Sequence, residues 1–247
     1  HVSSRRQRQM CIRDRFSVIE AIKIAEKSPS IEGFELPGNH SSKDVGGMKD
    51  TKILNMSPED LLEQGDQVLT RVKELDSRAS AVGGGIGIGA GATAIVTSSG
   101  IESHGIHTQH GIGVHISIDD DNHLTSAYEG EYSRTSIADI CSSVDRAVHW
   151  SQVTRNVIQG GKTQDSPVLM TSDGFSPLFS VMVPSAIKGE NLAKGESFWS
   201  GKKGNKVIAD HLSIVDDGLM QGGMSSGSRD GEGIPSRRQD IVESGSC

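Results

Sequence analysis

Four histidines, His104, His107, His110 and His115, cluster in a short stretch of this sequence, the first inside Ser103-His104-Gly105. Imidazole nitrogens bind zinc and move protons near neutral pH, so such a cluster is the first place to look for chemistry. The surrounding residues alternate as in a strand, and alternation puts His104 and His110 on one face and His107 and His115 on the other. The four therefore cannot converge on one metal without a bend. A strand that lines a ligand or is simply hydrogen-bonded fits better, with His104 and Gly105 as candidate positions along a substrate strand.

Two glycine-rich segments invite a phosphate-binding reading, and both fail on spacing. Gly83 to Gly91 contains no G-x-G-x-x-G register, and no strongly apolar strand precedes it. It reads as a flexible approach to a strand. Gly160-Gly161-Lys162-Thr163 ends like a P-loop, but Asn156 stands where that motif needs its first glycine. The cysteines, Cys11, Cys141 and Cys247, are far apart and form no CxxC pair, so neither a disulfide framework nor a cysteine zinc site is indicated.

The elements that must position these residues follow from periodicity and turn chemistry. Phe16, Ile19, Ile22 and Ala25 mark one face of a short helix that ends at Ser28-Pro29. Residues 30–56 are polar and glycine-rich and read as a long surface connection. Ser57-Pro58-Glu59-Asp60 is a helix start, with a capping serine, proline at the first helical position and acids in the first turn. Leu61, Leu62, Val68, Leu69, Val72 and Leu75 continue it on one stripe. From Ala92 to Ser133 the segments ATAIVTSS, GIGVHISI and LTSAYEGEYS, with a turn at Asp119 to Asn122, predict an antiparallel meander. Thr135 to Arg155 reads as a helix with Ile137, Ile140, Cys141, Val144 and Val148 on its apolar stripe. Gln159 to Asp165 is a glycine-containing linker and the expected domain boundary. Beyond it, Pro167–Met170 reads as a short apolar strand, then a turn and a helix-like segment, with further strands at Val207–Val215 and Asp240–Glu243.

With 247 residues, 30 of them glycine, and only 4% aromatic residues, the chain can bury a sizeable core but is expected to be loop-rich. No apolar run approaches a membrane span, so a soluble cytoplasmic protein is expected. The first fifteen residues, HVSSRRQRQMCIRDR, carry five arginines and one aspartate and read as a non-native, adapter-derived tail. Removing their +4 takes the formal charge from −7 to −11. So acidic a body argues against direct nucleic-acid contact, which needs clustered Lys and Arg.

The run Leu178-Phe179-Ser180-Val181-Met182-Val183-Pro184-Ser185-Ala186-Ile187-Lys188-Gly189-Glu190 resembles, without a gap, the segment of TldD metalloproteases that carries His-Glu-x-x-x-His. Ser180 and Ser185 stand at the histidine positions and Val181 at the glutamate. Other segments resemble the TldD/PmbA family in the same order. They are Ser197-Phe198-Trp199-Ser200-Gly201, then Ile214-Val215-Asp216-Asp217-Gly218, then Asp230-Gly231-Glu232-Gly233-Ile234-Pro235 with Ile241-Val242-Glu243-Ser244-Gly245, and Ser103-His104-Gly105 upstream.

The resemblance implies an α+β protein of two domains, an α/β first domain over 16–158 and a β-rich, barrel-like second domain over 166–247, each incomplete. It implies a pair of homologous subunits in which TldD holds zinc on its motif and a later cysteine, while TldE or PmbA lacks these ligands and helps enclose a peptide substrate. The family is linked to peptide maturation and to modulation of DNA gyrase. Serine and valine at the ligand positions supply no zinc donor and no general base. The chain is therefore expected on the TldE/PmbA side: no metal or catalytic residue of its own, zinc in a TldD-like partner, peptide as substrate. Cys247 does not match the context of the family's cysteine. The competing readings are an active metallopeptidase with a rearranged site at His104, His107 or His110, and a regulatory binding protein without a protease role.

Overall fold

The computed structural model describes residues 2–29, 35–120, 123–156, 160–161 and 165–247, with the side chains of the first helix described from Asp14 onward. The expected linker at 159–165, the P-loop-like Lys162-Thr163 and the tip of the 119–122 turn lie largely outside them. Contacts divide the chain into two units, 1–37 and 38–247.

The first unit contains helix α1, Val2–Lys27. It was expected to start at Phe16, but no Pro or Gly interrupts residues 2–27, and the arginine- and glutamine-rich run has good helix propensity.

In the second unit, α2 (Thr51–Asn55) is a short helix inside what reads as a featureless connection. The Asp50 side chain accepts from Lys52 N at 2.8 Å and caps it, and Ile53 is buried. Helix α3 runs Pro58–Leu75 with the predicted start. Ser57 Oγ accepts from Asp60 N at 3.1 Å while Ser57 N donates to Asp60 Oδ2 at 2.7 Å, a reciprocal box that satisfies two otherwise orphaned N–H groups.

The predicted meander is present as β1 (Ala79–Val96), β2 (Glu102–Asp119) and β3 (Leu124–Ser133), in antiparallel order β1-β2-β3. Gly83–Gly91 is the interior of β1 and no approach to it; Gly85 pairs with Gly113 and Gly87 with Gly111. Ile112, Val114, Ile116 and Ile118 of β2 share one face and pack against Val68 and Val72 of α3 and Val144, Ala147 and Val148 of the next helix. That helix, α4 (Ser142–Val153), is shorter than expected. Residues ahead of it give their N–H groups to side chains: Ser136 N donates to Asp50 Oδ2 at 2.7 Å and Ile137 N to His110 Nδ1 at 3.1 Å. Arg71 clamps α3 to α4 through a two-pronged bond to Asp145 at 2.8 and 3.2 Å. Arg78 holds Asp76 in the same way at the end of α3, and its hydrogen bonds keep that carboxyl far below the ordinary aspartate value.

In the C-terminal part, residues 165–171 form no strand; Val168 and Leu169 are exposed and meet no partner strand among the described residues. Helix α5 spans Ser172–Ile187, α6 Gly189–Lys194, β4 Ile214–Asp217 and β5 Arg238–Val242. Of the strand expected at Val207–Val215 only its end enters the β4–β5 pair, because Val207 and Ile208 both donate to the Gly245 carbonyl instead. The strands described here do not close a barrel. A second small core gathers Ala186, Trp199 and Val242, with Ser197 Oγ donating to Ala186 O at 2.7 Å.

Candidate functional site

A cleft of about 520 Å³ opens along the first half of β2 and contains His104 and Gly105. Its making starts from a mismatch of strand lengths. β3 pairs with β2 only from His110 to Asp119, so residues 102–109 keep β1 on one side and, among the described residues, no strand on the other. Thr108 shows which backbone groups face that free side: its N–H donates to Met48 O at 3.0 Å and its carbonyl accepts from Arg134 Nη1 at 3.3 Å. Outward-facing groups recur every second residue, so His104 and Ile106 present N–H and C=O to the cleft.

The far wall is the serine- and glycine-rich loop around residues 224–236. Two arginines fasten it. Arg134 Nη2 donates to Met224 O, and Arg229 donates to Gly233 O at 2.7 Å and to His40 O. The turn at Gly233 lies against Ile101 and Ile95, where the hairpin of β1 and β2 closes. Arg134 thus sits at the Thr108 end of the free edge and Arg229 at the Ile101 end. Sequence reading missed both, since each is a single basic residue in a serine-rich loop and nothing in their spacing pairs them.

The other histidines do not gather here. His110 is fully buried, its Nδ1 accepting from Ile137 N and its Nε2 at 3.1 Å from Gln64 Oε1. Burial pushes its pKa down. The ring of His107 lies across Gly91. Among the described residues, no group of three or more His, Cys, Asp or Glu is placed to hold a metal ion.

Ser180, Val181 and Ser185 lie on α5, all exposed. Ser180 Oγ donates to Pro177 O at 2.8 Å, and Val181 is 71% exposed. These positions offer two hydroxyls and an isopropyl group, which do not fit zinc. Pro184 has no N–H to return to the Ser180 carbonyl, so the otherwise continuous helix lacks that backbone hydrogen bond between the two serines.

An α+β fold with an open-edged antiparallel hairpin defines the class. Residues 163–247 match the family described as PmbA/TldA metallopeptidase C-terminal domain. The fold is similar to TldE from Thermococcus kodakarensis, with a TM-score of 0.80 and 22% identity over 90% of this chain and 50% of that one. It is also similar to a candidate modulator of DNA gyrase from Bacteroides thetaiotaomicron, with a TM-score of 0.74 and 23% identity over 91% of this chain and 52% of that one. An uncharacterized protein of Methanocaldococcus jannaschii is 26% identical over 205 residues, 82% of this chain and 47% of its own length. The chain therefore spans about half the length of the relatives it matches.

Proposed function

We propose that this chain is a TldE/PmbA-like, non-catalytic subunit of a zinc metalloprotease acting on peptides, working in the cytoplasm as a heterodimer with a zinc-bearing TldD-like subunit. The observation that carries this reading is the composition of α5. A helix in the register of the family's metal motif presents Ser180, Val181 and Ser185, none of which supplies a zinc donor or a general base. The chain's contribution is then to the substrate path. The free edge of β2 at His104 to Ile106 can pair with an extended peptide through backbone hydrogen bonds, a mode that needs no ionisable group. In this reading the sequence divides at 159–165 into a partial domain of 16–158, which carries the edge, and a partial domain of 166–247, which carries α5. A self-sufficient enzyme with a rearranged histidine site is disfavoured by the placement of His107 and His110 on opposite faces of β2, His110 being buried.

The test is zinc content and peptidase activity of the chain alone, of a TldD-like partner alone, and of the two mixed. Activity that is greatest in the mixture, with zinc tracking the partner, is expected. Stoichiometric zinc and peptide hydrolysis by this chain alone overturns the reading.

A further inference from the structure

We propose that Arg229 binds the C-terminal carboxylate of a peptide paired antiparallel to the free edge of β2, so that the cleft selects peptides by their free end. The inference rests on the peptide-path reading above and adds a recognised group to it.

Arg229 lines the cleft with its charge uncompensated. Its Nη atoms donate to neutral carbonyls, those of Gly233 and His40, and to Asn39 Oδ1 at 3.5 Å. Its Nε is buried with no acceptor. Two carboxylates, Asp44 and Asp230, line the same cleft, yet neither is within ion-pair distance of Arg229 among the described residues. Asp230 instead turns its Oδ1 to the N–H groups of Glu232 and Ile234, each at 2.9 Å. Holding a guanidinium partly desolvated without a counter-ion is costly, and an incoming carboxylate offsets that cost.

Direction selects which arginine meets the terminus. Antiparallel pairing is slightly the more stable per residue. A peptide antiparallel to β2 enters at Thr108 and leaves at Glu102, which puts its C-terminus beside the Gly233 turn and Arg229. Arg134, at the Thr108 end, faces the peptide's amino end and serves to fasten the loop. The edge from Glu102 to Ile106, ahead of the Thr108 groups already bonded to Met48 and Arg134, corresponds to roughly 17 Å of extended strand, so a hexapeptide spans it.

The experiment measures binding of one fluorescent hexapeptide in three forms to the full chain: free acid, C-terminal amide, and amide with a glutamate at the last position. The free acid is expected to bind roughly tenfold tighter than the amide, and Arg229→Gln to abolish that difference. Arg229→Lys, which keeps the charge and loses the fork, restores part of it. Rescue of the amide by glutamate means that a side-chain carboxylate serves as well as a terminus and overturns the C-terminal assignment. Equal binding of acid and amide by the unaltered chain overturns the carboxylate site and leaves the edge reading standing. Loss of discrimination in Arg134→Gln but not in Arg229→Gln overturns the antiparallel assignment. No binding of any form removes the edge reading and this inference with it. Circular-dichroism melts of each variant separate loss of recognition from loss of fold.

Discussion

The backbone N–H of Ile137 donates to Nδ1 of His110 at 3.1 Å, which fixes that imidazole as the Nε2-protonated tautomer and directs its N–H to Gln64 Oε1. Protonating Nδ1 would break the first bond inside a buried site. Burial lowers the pKa, and Glu131 raises it less than burial lowers it. The unfolded chain, with histidine near 6.5, therefore binds the proton first as pH falls. Stability from this group is complete above about pH 6.5 and declines as the pH drops toward and through the folded value. Urea midpoints measured between pH 7.5 and 5 should fall, and His110→Gln should flatten the histidine part of that slope. An unchanged slope in the variant means that His110 is not the titrating group.

The start of α3 rests on the reciprocal bonds of Ser57 and Asp60. Ser57→Ala removes the acceptor for Asp60 N and should cost about 1 kcal/mol, read as a lower melting temperature. The Asp60 carboxyl is held below its ordinary value by the Ser57 backbone and side-chain hydrogen bonds. The stability it contributes is present above the ordinary aspartate pKa and is lost as pH falls through the folded value. Acid titration of the Ser57→Ala chain should show Asp60 moved back up.

Two glycines of β1 separate backbone need from tolerance. Gly84 has φ of +129°, and a Cβ there would stand 2.1 Å from the Gly113 carbonyl oxygen. Gly87 has open space at its Cβ position. Gly84→Ala should destabilise by more than about 1–3 kcal/mol, since strained backbone and a clash add. Gly87→Ala should be neutral or stabilise by up to about 1 kcal/mol through the unfolded state. Equal melting temperatures for the two variants would show that the β1–β2 register is wrong around Gly84, next to the register shift between Ala81 and Gly83.

What was readable in the sequence was local. Ser57-Pro58-Glu59-Asp60 declares α3 because capping is a contact within four residues, and the β2 alternation declares a strand because pleating is periodic. The start of α4 was not readable, since Thr135 to Cys141 keep the helical stripe while Asp50 and His110, distant in sequence, draw off the Ser136 and Ile137 N–H groups. The strand expected at Pro167–Met170 failed for the converse reason. β-propensity needs a partner, and Val168 and Leu169 find none among the described residues. At the candidate site, Ser103-His104-Gly105 marked the stretch of β2 that lines the cleft. Arg134 and Arg229 were not legible, because they come to opposite ends of one cleft only when the 224–236 loop folds back over the edge.

Pro184 gives the last prediction its force. In a regular helix its N–H would donate to the Ser180 carbonyl; proline has none, and its ring crowds that carbonyl. Pro184→Ala restores the donor and removes the crowding, so α5 should gain amide-exchange protection around Ser180 and Ser185. The gain should stay local, because Ala186 is the only residue of α5 buried in the second core and Ile116 and Val144 belong to the first. Exchange mass spectrometry should therefore show slowed exchange in 180–187 and none across β2. Slowed exchange that spreads to β2 would mean that α5 and the sheet open as one cooperative unit.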